Sequence, residues 1–482
     1  MAGRQCLKRL YLECFERKLA DPIPPDRQAI FDAGTRIGAL ARDRYPDGRL
    51  VAEGYLHHDR ARRATEHALG DPNLPALYEA AFTFEKIRIR ADVLRRTGAE
   101  TYDLIEVKSG TKVKPEHHDD VALQLYVLRG RGLKVERAGL LHLNREYEYR
   151  GGDYDLDQLF ALSDLTGEAE GLQEEVGRQL GGMWETLAAP APPAVATGPH
   201  CEKPYVCPFY GHCHADEDPA AHPVEELYLA RAPLLARLRK EGCDEIQGIP
   251  AGFEGLSRIQ ARQREAVLRQ REVIDRSALR RKLGKLRHPI HFIDFETFNP
   301  AQPLSPGPHP SDDSPFQWSD HILSAGKTVS HHEFLHEGPD DPRPAFARSL
   351  LEAAKDAGTV VTYSAFEKTR LGELACALPA LAPALGALEA RIVDLLPIVR
   401  KNTYHPEFHG SFSLKSVLPA LVPGAGYGGL EISEGGQASL AYAEMISDAT
   451  PPKKARALRA QLLAYCERDT EAMLKLYEKL RK

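Results

Sequence analysis

Short strands and amphipathic helices alternate along the chain. The segments FTFEKIRIRADVLRR and YDLIEVKSG alternate apolar and polar side chains in the two-residue period of a strand, with a glycine turn between them. We expect them to pair as a hairpin, followed by a helix in PEHHDDVALQLYVLRG. After Pro289 the pattern predicts the order βββαβα and, at residues 453–482, a long final helix. This order predicts an α/β fold with a mixed sheet covered by helices.

A proline- and alanine-rich stretch, LAAPAPPAVATGP at residues 187–199, interrupts these patterns. It cannot hold a regular helix and is typical of a semi-rigid linker. A chain of 482 residues is long enough for about three folding units. We therefore predict a first module over residues 1–215, a helical basic connector over 216–287 and a C-terminal module over 288–482.

Composition excludes a membrane-spanning class of protein. Hydrophobic residues make up 43% of the chain and charged residues 27%, and no apolar run approaches the roughly 20 residues of a membrane span. The opening residues are basic but lack the long apolar segment of a signal peptide. We expect a soluble, cytoplasmic protein with no membrane partner, and protein partners stay open.

The formal net charge is −6, so any surface that binds nucleic acid must be local. Residues 258–287 include eleven basic and three acidic side chains. Such a density suits contact with phosphates. An ordinary solvated helix face is an equally good interpretation.

One candidate site lies on the predicted hairpin. Glu106 and Lys108 share a strand face, and Asp92 lies on the neighbouring strand. Carboxylates so placed can bind Mg²⁺ or Mn²⁺, while the lysine orients the attacking water or offsets charge on the phosphate. Gln124, in the next helix, can hold water or a backbone phosphate. An ordinary ion pair would also explain Glu106 and Lys108.

These motifs resemble a known nuclease core. The segments A-D-V-L, I-E-V-K and a helical Q-L-Y are similar to those of RecB-type PD-(D/E)XK nucleases, which also have an upstream helix, here around residues 31–45. The resemblance implies a restriction-endonuclease-type core in which Asp92, Glu106, Lys108 and Gln124 are catalytic. Asp92 and Glu106 would hold the metal.

Eight cysteines in a cytosolic chain favour free thiols or metal ligands over disulfides. Three of them form a C-x5-C-x5-C pattern, and the opening C-L-K-R-L-Y-L resembles the N-terminal motif of iron–sulfur members of the same nuclease class. That resemblance implies a structural [4Fe-4S] cluster bound by Cys6, Cys201, Cys207 and Cys213.

Zinc is the alternative cofactor, because four thiolates suit it as well. The pattern lacks the C-x2-C knuckle of common zinc ribbons, which favours the cluster. Three further possible ligands, His212, His214 and Cys14, are more simply explained as ordinary surface or core residues.

A second group of acids lies in the C-terminal module. Asp294 and Glu296 end an apolar strand on one face, about 7 Å apart, and a divalent cation is the usual reason to keep such acids together. On the final helix, Asp469 falls in the apolar stripe one turn after Tyr465. A metal shared with the two strand acids would give Asp469 a partner, and Tyr465 could position the nucleophilic water.

This pattern resembles the DnaQ-like, RNase H-fold exonucleases that carry the DEDDy motif set. In that family an acid begins the helix after the fourth strand, and T-Y-S-A-F-E-K-T-R-L offers Glu367 there, although the family usually has Asp. The resemblance implies a 3'–5' exonuclease-like module in which Asp294, Glu296, Glu367 and Asp469 hold two metals for in-line attack on a phosphodiester. Tyr465 completes the set.

Two further predictions concern the same module. Asp394 is a fallback acid, although a helix cap explains it more simply. The segment TYHPEFHGSFSLK supplies four residues that would contact the substrate strand or serve only as loop structure, namely His405, His409, Ser413 and Lys415.

The whole chain resembles a bacterial family that fuses a RecB-like iron–sulfur nuclease module to an RNase H-like exonuclease module. The resemblance implies a metal-dependent nuclease that acts on DNA in preference to RNA, in repair or defence. One alternative is a nucleic-acid-binding protein with one or both sites degenerate. Another is a redox or metal-sensing scaffold that uses only the cysteines.

Overall fold

The computed structural model describes residues 1–218 and 221–482 and divides into two compact units. The first comprises Met1–Glu217 and Pro300–Asp312, and the second comprises Asp218–Asn299 and Asp313–Lys482. Each unit is a mixed sheet with helices, which confirms the predicted α/β class at that level. Among the described residues, the helices are all too short or too polar to cross a lipid bilayer.

The predicted connector, 216–287, falls almost entirely within the second unit. Its apolar side chains, such as Leu238 and Val267, join the same buried cluster as Phe292 and Met473. Residues in one core fold as one unit, which is why this segment is not a separate module. Residues 219 and 220 of the predicted connector lie outside the described residues.

The segment Pro300–Asp312 belongs to the first unit although it is distant from it in sequence. The Tyr154 hydroxyl donates a 2.7 Å hydrogen bond to the carbonyl of Pro303. The Gly307 amide donates one of 2.9 Å to the carbonyl of Tyr149. The first unit is therefore assembled from two separate stretches of chain.

A six-stranded mixed sheet forms the centre of the first unit. Its strands are β1 (Arg49–Leu50), β2 (Ala76–Phe84), β3 (Ile87–Arg96), β4 (Thr101–Lys108), β5 (Lys134–Leu143) and β6 (Phe160–Asp164). They lie in sequential order, with β1–β2 and β4–β5 parallel and the other neighbours antiparallel. The antiparallel pairing of β3 with β4 confirms the predicted hairpin.

Nine helices of the described residues belong to this unit. They are α1 (Ala2–Gln5), α2 (Leu7–Phe15), α3 (Pro25–Asp43), α4 (His58–Leu69), α5 (Pro115–Gly130), α6 (Leu156–Leu159), α7 (Thr166–Gly171), α8 (Gln173–Ala188) and α9 (Tyr210–His214). The stretch predicted as a linker begins where α8 ends and holds no regular helix, because its prolines lack the amide hydrogen that a helix needs.

Strand alternation determines which side chains of β4 face α5. Leu104 is buried in the same cluster as Leu125 of α5, whereas Ile105 is buried on the opposite face beside Ile37 of α3. Because successive side chains point to opposite faces, Glu106 projects on the α5 side. The sheet therefore places the Glu106 carboxylate at the edge of the buried contact between β4 and α5.

The second unit contains a five-stranded mixed sheet and a two-stranded pair. The larger sheet consists of β8 (Ile290–Phe298), β9 (Ser314–Leu323), β10 (Val329–Leu335), β11 (Thr359–Thr362) and β12 (Ile392–Asp394), and the small pair of β7 (Val273–Ile274) and β13 (Thr403–Tyr404). The order of the larger sheet is β10-β9-β8-β11-β12, in which β8, β11 and β12 are parallel and β9 is antiparallel to both neighbours.

Ten helices of the described chain complete this unit. They are α10 (Ala232–Lys240), α11 (Arg258–Arg269), α12 (Arg276–Leu283), α13 (Arg343–Ala353), α14 (Phe366–Ala377), α15 (Ala382–Glu389), α16 (Leu396–Asn402), α17 (Leu414–Leu421), α18 (Gly435–Met445) and α19 (Pro452–Arg481). The elements from β8 to α14 follow the predicted βββαβα order, and α19 confirms the predicted long final helix.

Helix α19 packs along β8. It begins with Pro452 at its first position, where the missing amide hydrogen has no intrahelical partner to lose. Leu462, Cys466 and Met473 of its apolar stripe are fully buried, as the helical spacing predicts, whereas Leu458 is half-buried. Tyr477 stacks at a tilt on Phe292 of β8, with ring centroids 5.4 Å apart. This contact brings the polar end of β8 and the middle of α19 together.

Candidate functional sites

The hairpin of the first unit brings two carboxylates side by side. Because Val93 is paired with Ile105, Asp92 and Glu106 come next to each other along β3 and β4. One Asp92 oxygen accepts a 2.7 Å hydrogen bond from the amide of Val107. Burial and the neighbouring charge of Glu106 raise the pKa of Asp92 well above its ordinary value.

Both oxygens of Glu106 accept side-chain hydrogen bonds. Lys108 Nζ donates to Oε1 at 2.7 Å, and Gln124 Nε2 donates to Oε2 at 2.6 Å. Lys108 also forms an ion pair of 3.2 Å with Asp120. Burial acts to lower the pKa of Lys108, but Glu106 and Asp120 outweigh it and raise that pKa above its ordinary value. The four side chains predicted for this site therefore meet, with Lys108 charged.

The donor set of this cluster suits a hard divalent cation. Carboxylate and amide oxygens are the ligands that Mg²⁺ and Mn²⁺ prefer. The side-chain oxygen of Gln124 is buried and has no hydrogen-bond partner in the described residues. A buried oxygen without a partner is costly unless a ligand or water satisfies it. Asp92, Glu106 and Gln124 are thus the groups that would hold an ion and its water.

A third acid, Glu79, was not identified from the sequence. The pairing of Tyr78 with Val93 and of Ala80 with Ala91 leaves Glu79 opposite Asp92. Its charge contributes to the raised pKa of Asp92, and it forms a 3.1 Å ion pair with Arg90. Its backbone is left-handed, with φ of 56°. The sequence signal that could have identified Glu79 is the presence of an acid inside the apolar run LYEAAF.

The four cysteines of the predicted cluster line one cavity of the first unit. The structure has all eight cysteines of the chain as free cysteines. Cys6 lies between α1 and α2, whereas Cys201, Cys207 and Cys213 lie after the linker. Burial raises the pKa of Cys207. Residues far apart in sequence therefore bring their sulfurs to one place.

Hydrogen bonds join the chain segments that carry these cysteines. The Gln5 side chain donates to the carbonyls of His200 and Tyr205 at 2.8 and 2.7 Å. The Gly211 amide donates to a side-chain oxygen of Asp21 at 2.9 Å. The cavity is thus held in shape by backbone contacts as well as by any bound group.

The spacing of the sulfurs bears on the two candidate cofactors. Zinc–sulfur bonds of about 2.3 Å place tetrahedral thiolates within about 3.8 Å of one another. Among the described cysteines, no three sulfur atoms lie within 4.8 Å of one another. Of the part of the chain that the structure describes, His200 lines the cavity but His212, His214 and Cys14 do not.

The second unit brings its acids together from three elements. Asp294 and Glu296 lie on β8, and Cys466 of α19 lies between its helix and the strand, with its sulfur 3.8 Å from Asp294 Oδ2. One potential ligand atom from each of these three residues lies within 4.8 Å of the others. Burial and the charge of Asp469 raise the pKa values of Asp294 and Glu296 well above their ordinary ranges. Asp469 therefore lies close to the strand acids.

Glu367 lies in the first turn of α14, at the predicted place. It is buried, and its charge contributes to the raised pKa of Asp294. Its Oε2 atom has no partner among the residues that the structure describes. Burial raises the pKa of Glu367 to about 8 and that of Asp469 to about 6. Asp394 instead accepts a 2.8 Å hydrogen bond from the Leu396 amide, which forms a turn just before α16, whose N-cap residue is Leu395.

Four buried or partly buried acids in one place repel one another. Repulsion and burial both favour protonation, which is why their pKa values rise. A divalent cation would relieve that repulsion and would satisfy the unpartnered oxygen of Glu367. The donor set is all carboxylate apart from the Cys466 thiol, and it therefore suits Mg²⁺ or Mn²⁺.

Lys415 is the cation nearest to these acids in the described hydrogen-bond network. Its ammonium donates to the Tyr465 hydroxyl at 3.2 Å and to Glu434 at 3.1 Å, and also to the carbonyl of Ser433. Ser413 begins α17 by accepting a hydrogen bond from the Ser416 amide, which places Lys415 in the first turn. Burial and the charge of Glu296 raise the pKa of Tyr465, so its hydroxyl keeps its proton.

The basic segment of residues 258–287 is partly structural. Arg264 donates a 2.7 Å hydrogen bond to the carbonyl of Ile249, and Arg262 donates to the carbonyl of Lys401. Other members, such as Arg271 and Lys285, are exposed. Contact of the exposed members with phosphates stays a prediction.

Comparison with known proteins gives one match. Residues 291–413 are similar to a family described as a domain of unknown function, DUF2779. The matching stretch covers about a quarter of the chain and includes Asp294, Glu296 and Glu367, and it ends before Lys415 and Asp469. Neither the curated proteins nor the solved structures provide a match to this chain.

Proposed function

We propose that this chain is a metal-dependent nuclease that hydrolyses phosphodiester bonds of DNA in preference to RNA, in repair or defence. The observation that carries the proposal is the meeting of Asp294, Glu296, Glu367 and Asp469 from β8, α14 and α19. Simple packing does not explain four acids whose mutual repulsion raises their pKa values. Metal-dependent attack on a phosphodiester does.

The second unit supports a DnaQ-like, RNase H-like assignment with 3'–5' exonuclease chemistry. Bound divalent cations would polarise the scissile phosphate and ionise a water molecule near neutral pH. Tyr465 is protonated and acts as a hydrogen-bond donor that orients the attacking water. Lys415, hydrogen-bonded to Tyr465, places a positive charge where the phosphate gains negative charge.

The first unit supports a RecB-like PD-(D/E)XK assignment. Asp92 and Glu106 would hold the ion, and Lys108 stays charged and so can stabilise the developing negative charge. Gln124 holds Glu106 in place through its amide and offers its free oxygen to a water. The preference for DNA rests on the resemblance of both units to DNA nucleases.

The cysteine cavity supports a structural [4Fe-4S] cluster bound by Cys6, Cys201, Cys207 and Cys213. The C-x5-C-x5-C pattern, which lacks the C-x2-C knuckle of common zinc ribbons, favours the cluster over zinc. Such a cluster would link the N-terminus of the chain to the segment after the linker.

One observation favours a second candidate, a nucleic-acid-binding protein with a degenerate site in the second unit. Glu367 stands where the related exonucleases usually have Asp, and its raised pKa keeps it protonated over much of the neutral range. A protonated Glu367 would contribute less charge to a metal site. Binding without cleavage would then be the activity of this unit.

A cleavage assay with matched variants tests the proposal. Anaerobically purified full-length protein is incubated with labelled single- and double-stranded DNA and RNA, in Mg²⁺, Mn²⁺ or EDTA. Lys108→Ala and Asp294→Ala each disable one site, and Lys112→Ala and Asp448→Ala replace exposed residues of the same type as controls.

Metal-dependent cleavage of DNA that survives in both controls is the expected result. The products lost in Lys108→Ala come from the first unit, and those lost in Asp294→Ala come from the second. Binding without cleavage under every condition would favour the second candidate. Wild-type rates in both site variants would sink the assignment of these residues.

A further inference from the structure

Three metal-ligating side chains of the second unit meet without sharing a residue with the carboxylate site. His222 Nδ1 lies 3.0 Å from Glu226 Oε2, and His409 Nδ1 lies 2.9 Å from Glu226 Oε1. One potential ligand atom from each residue lies within 4.8 Å of the other two. The two imidazole rings stack, with centroids 4.9 Å apart. The three side chains thus converge on one point.

The backbone around His222 and Glu226 is fixed by buried hydrogen bonds. The carbonyl of His222 accepts a 2.7 Å hydrogen bond from the Ile246 amide. The carbonyl of Glu226 accepts a 3.0 Å hydrogen bond from Gln263, whose side chain is completely buried. A ligand set on a rigid scaffold loses little conformational entropy when it binds an ion.

His409 reaches this scaffold through an unusual backbone. His409 and Gly410 are both left-handed, with φ of 45° and 77°. A Cβ on Gly410 would lie 2.5 Å from the carbonyl oxygen of Glu226, so only glycine permits this approach. Non-glycine residues in this region are concentrated at binding and catalytic sites.

We propose that His222, Glu226 and His409 bind a transition-metal dication, with Zn²⁺ as the ion that the donors favour. Two imidazoles and one carboxylate suit zinc, whereas magnesium prefers oxygen ligands alone. Zinc bonds of about 2.0–2.1 Å separate tetrahedral ligand atoms by about 3.4 Å. The observed separations of 2.9 and 3.0 Å reach that value with small side-chain movements. Water completes the coordination, because His409 is exposed at one side.

The ion has a structural role that goes beyond the proposed nuclease chemistry. The loop that carries His409 continues through Phe412, which packs edge-on against Tyr228, to Ser413 and the start of α17. Binding at His409 therefore fixes the segment from which Lys415 projects. From the sequence, this loop was expected to contact the substrate strand or to serve only as loop structure. His409 forms a hydrogen bond with Glu226, and the substrate contact stays a prediction.

Zinc content in matched full-length variants tests the site. Protein stripped of metal is equilibrated with Zn²⁺, freed of unbound ion and analysed by mass spectrometry for zinc per chain. The variants are His409→Gln and Glu226→Gln, and the control is His405→Gln, which changes a histidine of the same loop. The cysteines and the other carboxylates are unchanged in every protein and so contribute equally.

We expect both variants to bind one zinc ion fewer per chain than the wild type, with no loss in His405→Gln. Added Zn²⁺ should also raise the melting temperature of the wild type more than that of His409→Gln, while their metal-free melting temperatures agree. Because His409 is exposed, its replacement leaves the core intact. Equal zinc content in wild type and His409→Gln would overturn the proposal, whatever the cleavage assay shows.

Discussion

The hydroxyl of Tyr427 donates a 2.5 Å hydrogen bond to Oδ1 of Asp469. Burial and the charge of Asp469 raise the pKa of Tyr427, so this hydroxyl remains a donor. The ammonium of Lys415 lies 5.5 Å from the centroid of the same ring. Tyr427 thus links a candidate metal ligand to the nearby cation and acts as a positioning residue for Asp469.

Replacing Tyr427 with Phe should lower cleavage by the second unit. A hydrogen bond to a charged acceptor contributes about 1.5–3 kcal/mol, which corresponds to roughly a tenfold to hundredfold loss of rate. We expect the loss in kcat more than in KM, because Asp469 would be misplaced rather than the substrate unbound. Steady-state cleavage kinetics measure both.

Tyr442→Phe is the matched control for this change. Tyr442 is also buried in the second unit, but its hydroxyl lacks a partner in the described chain. Its removal should leave the cleavage rate unchanged. Equal rates in Tyr427→Phe and Tyr442→Phe would contradict the positioning role.

Metal affinity of the second unit should rise with pH. Ions bind the ionised carboxylates, and protons compete for groups whose pKa values are about 6 in Asp469 and about 8 in Glu367. Mn²⁺ should therefore bind more tightly as pH rises through this range. Electron paramagnetic resonance of free Mn²⁺ measures this in a Glu106→Gln background that disables the other site. Glu367→Gln should show a shallower pH dependence, and an affinity independent of pH would refute the interpretation.

Asp294→Asn should stabilise the metal-free protein. The folded-state pKa values of these acids lie above their unfolded values, so their contribution to stability falls as pH rises through the folded values. Removing the Asp294 charge relieves this by on the order of 1 kcal/mol at pH values where that carboxyl would be ionised. Thermal unfolding in EDTA measures the gain, with the exposed Asp448→Asn as control. Added Mg²⁺ should stabilise the wild type more than the variant.

Cys207→Ser should remove the visible absorption of the cluster and destabilise the first unit. A link that joins Cys6 to Cys201 closes a long loop, and the chain-entropy estimate for such a link is about 5 kcal/mol. Absorption spectra and thermal unfolding measure the two effects. Cys14 is exposed and lies outside the cavity lining that the structure describes, so Cys14→Ser should change neither. Full absorption in Cys207→Ser would rule out this ligand.

Two glycines with similar backbones allow the cost of backbone strain to be measured apart from the cost of a steric contact. Gly410 and Gly424 have φ of 77° and 80°, so alanine costs roughly 1–2 kcal/mol of backbone strain at either position. Only at Gly410 does a Cβ meet the Glu226 carbonyl, while the described surroundings of Gly424 are open. Gly410→Ala should therefore lower the free energy of unfolding further than Gly424→Ala. Denaturant unfolding measures the free energy of unfolding of both variants. Equal losses would show that the loop moves away from Glu226 and so avoids the contact.

Helices and strands in which apolar side chains recur at a regular spacing could be predicted from the sequence. The β3–β4 hairpin, α5 and α19 carry long apolar repeats that local spacing reveals. The two-residue strands β7 and β13 have too few residues to show a period and exist only because they pair with each other. The membership of Pro300–Asp312 in the first unit depends on contacts with Tyr149 and Tyr154, which no local pattern encodes.

The same distinction applies to the site residues. Asp294 and Asp469 could be identified because an acid interrupts an apolar period and demands a partner. Tyr427 lies in the glycine-rich stretch AGYGG, where there is no period to interrupt, and its partner is 42 residues away. For His409 the sequence suggested a substrate contact or loop structure alone, because nothing in its loop points to Glu226, which precedes it by 183 residues. The chemical roles of all these residues remain predictions.

The return of the chain to the first unit at Pro300–Asp312 has a consequence for inheritance of the two units. A gene fragment that ends at Glu217 encodes a first unit without the partners of Tyr149 and Tyr154, and one that starts at Asp218 carries a stretch foreign to the second. No continuous fragment of the chain carries one whole unit without residues of the other. An engineered fusion that takes one unit therefore has to keep, or to replace, the interleaved segment of the other.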